Sequence, residues 1–404
     1  MSWQCLPTAL WDPLFAIIEE KNVKKDAVRV RKIEQSNVGS AFVVQAGDEC
    51  SLFIKCLLPS DGDDFQSMEE IYFGNEVVFY GEIMRDFLRV ENEVDGLERR
   101  LTSVPKCLDV GNGSVPFIVM DNLVSRGYKG LDVKRPLSVE CVRLVLQQLG
   151  RFHAMSFALK HRRPEAFRRA TNKLRETVFA SSMFPTYGKL FLHAIHDALK
   201  LAKQSLPSDS VYVSKLALFT LNIFDLMSDL ALANPYSVIT HGDLWSNNIL
   251  CKYDEETGFP EDAAFVDFQG CRHASPIHDL MFIMLLAIDK STRDEFREDL
   301  LKCYYSALSE KLEDLGCDSQ ELFPPKAFDA ELGKQSRFSL AMALVGLPLY
   351  MNNRSMGENT PAGGDETVDD LVEFVQGISA RKTTKCKHKM LEIIMDCVDQ
   401  GYLD

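Results

Sequence analysis

The sequence predicts an α+β fold in two parts. Residues 1–121 read as an antiparallel sheet with one inserted helix. Residues 122–404 read as mainly helical, interrupted by a short β-hairpin. Three observations lead there. Residues 27–58 hold three strand-like runs, AVRVRKIEQ, SAFVVQA and CSLFIKCLL, the last two joined through the turn Ala46-Gly47-Asp48-Glu49. Beyond Asp121 the apolar residues move to helical spacing, as at Val142, Val145, Leu149, Phe152 and Phe157. The helical texture breaks at residues 237–267, where short apolar runs alternate with polar turns.

Taken in order, Asp12-Pro13 reads as an N-cap followed by proline at the first helical position, opening a helix to about Lys21. The three strands follow, then a polar loop, PSDGDD, and a helical stretch over about 65–87. A short strand near 107–110, the turn Gly111-Asn112-Gly113-Ser114 and a strand over 116–121 complete the sheet. Long helices are predicted over 139–159 and 211–232, and helices fill most of 276–400. Residues 354–370 are polar and glycine-rich and read as a surface loop.

Composition narrows the partners. The chain has 404 residues and a net charge of −14, so it lacks the basic face that nucleic acid requires. Its N-terminus has no basic leader region. The longest apolar runs, 280–288 and 340–351, fall short of the roughly 20 residues of a membrane helix. Eleven scattered cysteines without a CxxC pair read as reduced thiols, which with the missing leader predicts a cytoplasmic protein. No obligate protein partner is implied.

The chemistry concentrates in HGDLWSNNIL at 241–250 and FVDFQ at 265–269. Phosphoryl transfer needs an acceptor for the hydroxyl proton and oxygen ligands for Mg²⁺ on the phosphates. Asp243 suits the first role. Asn248 and Asp267 suit the second, because Mg²⁺ prefers carboxylate and amide oxygen. The order H-x-D-x-x-x-x-N, then a strand ending in D-F, resembles the catalytic loop and metal-binding segment of protein kinases.

Such a block requires a nucleotide-gripping sheet upstream. Lys55 lies in LFIKCLL, flanked by apolar residues, and needs a partner if it points inward. Glu76 is the natural partner, in competition with Glu69, Glu70 and Glu82. The pair resembles the strand lysine that holds the nucleotide's phosphates and its helix glutamate. Between the first two strands, backbone amides with Ser36, Asn37, Gly39 and Ser40 form the candidate phosphate loop. Met120, Asp121 and Leu123, where sheet passes to helix, are the candidate adenine contacts. Met120 is placed behind the base, with the Asp121 carbonyl and the Leu123 N–H as its partners.

HGDLWSNN at 241–248, VDFQ at 266–269, SPIHDL at 275–280, E-x-x-F-Y at 76–80, MDNL at 120–123 and LGRFHAMSFAL at 149–159 span most of the chain. On these the chain resembles the ecdysteroid kinase-like family, also described as choline-kinase-like, within the aminoglycoside phosphotransferase and choline kinase superfamily. The resemblance implies a bilobal protein-kinase-like fold, ATP with Mg²⁺, and transfer of the γ-phosphate to a hydroxyl of a small molecule. The acceptor it implies is an ecdysteroid, another sterol or a xenobiotic alcohol. The alternatives are an amino-alcohol kinase of the choline or ethanolamine type and a nucleotide-binding pseudokinase. It further implies that Asp279, with His241, braces the catalytic loop. Trp245 either walls the acceptor site or packs the loop. The apolar residues 341–350 and the many carboxylates of the helical part offer walls for either a sterol or a cation.

Overall fold

The computed structural model of the chain describes residues 5–24, 27–33, 39–47, 50–58, 66–131, 137–176, 179, 188–351, 377 and 382–404. Its N-terminal part is an antiparallel sheet of β1 (Val28–Ile33), β2 (Ser40–Ala46), β3 (Cys50–Cys56), β4 (Cys107–Gly111) and β5 (Phe117–Asp121), in the order β1-β2-β3-β5-β4. Alternation along each strand sorts side chains onto two faces. Leu52, Ile54 and Cys56 of β3 and Phe42 and Val44 of β2 bury against α1 (Trp11–Glu20). Leu10, Leu14, Ile17 and Ile18 supply its side of that core at helical spacing, which makes one apolar stripe. Phe53 and Lys55 have the opposite parity. They pair with Met120 and Ile118 of β5 and turn to the other face of the sheet.

The helix at the N-terminus differs from expectation in its start. A 3₁₀ turn, Thr8–Leu10, runs directly into α1, so Leu10 occupies the cap and Asp12 lies inside the first turn. Pro13 is tolerated there because first-turn amides have no intrahelical acceptor. The inserted helix is longer than predicted. It comprises α2 (Gln66–Val78), a π-turn over Phe79–Ile83 and α3 (Met84–Asn92). Its last turn is held by an ion pair between buried Glu91 and buried Lys311, 2.6 Å, which no local periodicity foretells.

The remainder is helical apart from two small sheets. β6 (Tyr128–Gly130) pairs with β8 (Ile249–Tyr253), which pairs with β9 (Pro260–Phe265), while β7 (Val238–Thr240) pairs with β10 (Arg272–Ala274). The long helices α4 (Val139–Arg162) and α10 (Lys290–Asp314) pack along each other. α5 (Pro164–Thr171) and α6 (Lys189–Ser205) were not foreseen. The helix predicted over 211–232 is two, α7 (Val211–Thr220) and α8 (Ile223–Ala231), bent by 73°. α9 (Ile277–Leu286), α11 (Ser319–Leu322), α12 (Pro325–Met351) and α13 (Thr384–Asp399) complete the chain. The predicted loops over 354–370 and 59–64, and residues 48–49 of the hairpin turn, lie outside the described residues. Among the described residues no single helix is long and apolar enough to cross a membrane; α7 and α8 pass that test only when taken together.

Candidate active site

The fold brings β3, α2 and the turn after β9 to one point. Lys55 Nζ lies 2.5 Å from Glu76 Oε2 and 2.7 Å from Asp267 Oδ1. Glu76 is 1 % exposed, so a lysine facing it is required on energetic grounds. Glu82 pairs instead with Lys173, which removes it from the competition. Burial by itself would lower the Lys55 pKa, but the carboxylates of Asp267 and Glu76 raise it above the usual lysine value, so it stays charged.

Asp267 stands just past the end of β9 in a left-handed conformation, φ 68°. Among the described residues it shares this with one other non-glycine, Asn22. Such a conformation costs about 1–3 kcal/mol and persists where the surroundings fix it. Here the Lys55 bond fixes one carboxylate oxygen. The following residue, Phe268, is fully buried and stacks on Phe79 at 3.7 Å and 8°. It also packs on the His241 ring at 4.4 Å.

The loop between β7 and β8 carries Asp243 and Asn248. Asn248 Nδ2 donates to the Asp243 carbonyl (2.8 Å) and to its carboxylate (3.1 Å). This turns the Asn248 Oδ1 away from Asp243 and leaves it available as an oxygen ligand. Desolvation is the largest influence on the Asp243 carboxylate, and the charge of Asp267 adds to this. Together they push its pKa up to about 7, against the opposing pull of the polar side chains of Gln269, Trp245 and Asn248 around it.

His241 holds this loop from below. Its Nε2–H donates to the Val266 carbonyl (2.9 Å), and Nδ1 accepts the Asp243 N–H (3.2 Å), which defines the tautomer. Burial keeps the ring neutral by lowering its pKa. Buried Asp279, in the first turn of α9, accepts the backbone N–H groups of His241 (2.6 Å) and Gly242 (2.9 Å). It also meets His153 Nε2 (3.1 Å), whose Nδ1 contacts the Tyr304 hydroxyl (2.7 Å). Gly242 has φ +77°, and a Cβ there would lie 1.9 Å from the Gly270 carbonyl oxygen, so the loop admits no side chain at this position.

The other sequence-selected residues fall as follows. Met120 is buried on the same sheet face as Lys55. The Asp121 carboxylate pairs with Arg126 at 2.5 Å. Leu123 opens a 3₁₀ turn capped by Asn122, so its N–H has no intrahelical acceptor. Gly39 (φ +69°) and Ser40 border β2 beside Cys56, one residue from Lys55. Ser36 and Asn37 lie outside the described residues. Trp245 packs edge-to-face on Phe282 of α9, 4.7 Å between centroids. Gln269, His153 and Tyr304 were not selected as site residues. Gln269 and His153 stood in quoted motifs, but nothing local shows what they touch.

The donor set fits a divalent cation. Asp267, held by Lys55, and Asp243 supply two carboxylates, and Asn248, bonded to Asp243, adds an amide oxygen. No group of three or more His, Cys, Asp or Glu side chains among the described residues closes on an ion by itself. That suits Mg²⁺, which is usually held by one or two protein carboxylates together with the phosphates of a nucleotide.

The model of the ecdysteroid kinase-like family matches residues 42–317. No curated protein matches the sequence. Among solved structures, a choline kinase from Cryptosporidium parvum is similar at 13 % identity, covering 97 % of each chain, with a TM-score of 0.49. An ethanolamine kinase from Plasmodium vivax is similar at 13 % identity over 93 % of this chain and 89 % of that one, TM-score 0.43. An amicoumacin kinase solved with AMP-PNP and Ca²⁺ is similar at 14 % identity over 93 % and 95 %, TM-score 0.42.

Proposed function

Because the chain belongs to the ecdysteroid kinase-like family, a family of small-molecule kinases, we propose that it transfers the γ-phosphate of ATP to a hydroxyl of a small acceptor, an ecdysteroid or other sterol or a xenobiotic alcohol. The observation that carries the reading is the convergence of Lys55, Glu76 and Asp267 on one point, beside the turn that presents Asp243 and Asn248. We assign residues 1–121 to a nucleotide-binding lobe and residues 122–404 to a lobe holding the catalytic loop, metal ligands and acceptor site.

Each residue then has a task. Lys55, kept charged by two carboxylates, meets phosphate oxygens, and Glu76 aims it. Met120 backs the adenine, and the Asp121 carbonyl and Leu123 N–H face its edge. Gly39 and Ser40, with Ser36 and Asn37, cover the phosphates. Asp267 and Asn248 would hold Mg²⁺, which when bound neutralises charge on the phosphates. The Asp243 carboxylate accepts the proton of the acceptor hydroxyl as its oxygen attacks. His241 and Asp279 keep the loop in shape, so little reorganisation is left for the moment of reaction.

An amino alcohol is the second reading for the acceptor. A cavity of about 830 Å³ beside β10 is lined by Asp225, Asp229 and Phe224, with Arg272 paired to Glu176 and set over Phe179, so Asp225 and Asp229 are the carboxylates that would meet a cation there. The test is ATP consumption by the purified chain, with and without Mg²⁺, across sterols, amino alcohols and xenobiotic alcohols, with Asp243→Asn as control. Mg²⁺-dependent turnover of one acceptor class, lost in Asp243→Asn, is the expected result. No turnover with any acceptor would make the chain a nucleotide-binding pseudokinase.

A further inference from the structure

Trp245 stands two residues beyond Asp243, and the protein grips it on several sides. Its backbone N–H donates to the Asp243 carbonyl, and its own carbonyl accepts the Asn248 N–H, both at 2.9 Å. Phe282 lies edge-on to the indole ring at an interplanar angle of 85°. The far end of the ring reaches Gly346 of α12. A Cβ built there would lie 2.3 Å from Cη2 and 2.8 Å from Cζ2. Glycine inside a helix costs about 1 kcal/mol relative to alanine. The helix gives up that stability where the indole needs the space.

We propose that Trp245 is a positioning residue: the notch at Gly346 on α12 and the edge of Phe282 fix its ring, and its backbone N–H, bonded to the Asp243 carbonyl, holds the turn that carries Asp243. The inference rests on the reading of Asp243 as the group that meets the acceptor hydroxyl. It chooses between the two roles that the sequence left open for Trp245, bracing the loop over walling the acceptor site. It also gives α12 a part in catalysis without any contact to substrate. An error of about 1 Å in the placement of a reacting group costs on the order of 10²-fold in rate. Loss of the brace therefore acts on turnover and not on affinity.

Two variants separate the roles. Trp245→Phe keeps an aromatic ring against Phe282 but does not reach α12. Gly346→Ala leaves the tryptophan intact and drives a methyl group into it. Turnover of Mg-ATP is measured with water, ecdysone and choline as acceptors, and ATP affinity by calorimetry. Each variant is expected to lower kcat about tenfold to a hundredfold, by the same factor for every acceptor the native chain uses. KM for the acceptor and ATP affinity stay within about twofold. The double variant is no slower than Trp245→Phe, because the shorter ring makes room for the methyl group. Unchanged kinetics in both variants, or a rise in acceptor KM that differs between ecdysone and choline with kcat retained, would overturn the proposal. Gly346→Ala decides alone if Trp245→Phe does not fold. Asp243→Asn is run in parallel. Should it turn over normally, or should the native chain turn over no acceptor of the full panel of sterols, amino alcohols and xenobiotic alcohols, the kinase reading falls and this one with it. A silent Asp243→Asn beside a fully active Trp245→Phe removes only the brace.

Discussion

Asp279→Asn puts a figure on what one buried carboxylate does for the catalytic loop. Oδ2 of Asp279 takes the His241 N–H at 2.6 Å and the His153 ring at 3.1 Å, and Oδ1 takes the Gly242 N–H at 2.9 Å. Burial alone would raise its pKa, yet the hydrogen bonds from His153 and the Gly242 N–H, with the His153 and His241 rings beside it, hold it below the usual aspartate value. Asparagine supplies one oxygen and one NH₂. The better orientation keeps the oxygen at the doubly bonded position and turns NH₂ toward the Gly242 N–H. One charge-assisted bond is lost, about 1.5–3 kcal/mol, and two buried donors then face each other, about 1–3 kcal/mol more. With partial relaxation the loss is about 3–5 kcal/mol, a large share of the ~5–15 kcal/mol that holds a native protein together. Urea denaturation followed by fluorescence measures it, and hydrogen exchange at the amides of 241 and 242 localises it. A loss below about 1 kcal/mol with those amides still protected would refute the reasoning, because the carboxylate would then not be what holds the turn.

Further outcomes follow from the same geometry. Lys55→Met and Glu76→Gln each lower kcat/KM for ATP, and the double variant costs less than the sum, since contacting residues are not additive; strict additivity would separate the pair. Asp267→Ala abolishes Mg²⁺-dependent binding of a non-hydrolysable ATP analogue in calorimetry, whereas Asn248→Ala weakens it less, because only the carboxylate carries charge. Equal Mg²⁺ dependence in Asp267→Ala and the native chain would count against that assignment. His278 is buried against Phe338, and its pKa is pushed down to about 3, mainly by desolvation. The unfolded chain, with a histidine pKa near 6.5, therefore binds more protons than the folded one between about pH 6.5 and 3, and stability falls as pH drops through that window. The contribution reaches about 2 kcal/mol by pH 5. An imidazole NMR titration midpoint above pH 6 would contradict it.

Much of the site could be read from the sequence because its parts are local or forced. A lysine in the apolar run LFIKCLL has to find an acid, and the helix that follows offers Glu69, Glu70, Glu76 and Glu82. Asp243 and Asn248 stand in one short loop, so their spacing already fixes their proximity. The remainder depends on contacts between distant segments. Glu82 and Glu76 look alike in sequence; what separates them is Lys173, 91 residues further on. His153 reaches Asp279 across 126 residues. The break between α7 and α8 leaves no glycine or proline as a marker, and Leu218 and Leu221 beside it stay exposed, which an amphipathic pattern does not foretell. The early start of α1 follows from a 3₁₀ turn that overrides the expected cap at Asp12.

The aromatic stack beneath the turn after β9 ties together pieces of the molecule that are distant in sequence. Phe79 lies almost flat on Phe268, and Phe268 leans on His241, so a column of rings runs from the inserted helix to the catalytic loop. The sheet meets the inserted helix through apolar side chains of β4 and β5, and it reaches the turn after β9 through the Lys55 amine, between Glu76 and Asp267. The inserted helix is encoded between two strands of the sheet, yet its rings tie it to the turn after β9 as well. On the proposed function, a phosphate oxygen would take the place of one of these carboxylate oxygens at Lys55, so the nucleotide would enter the same contact that ties sheet to turn.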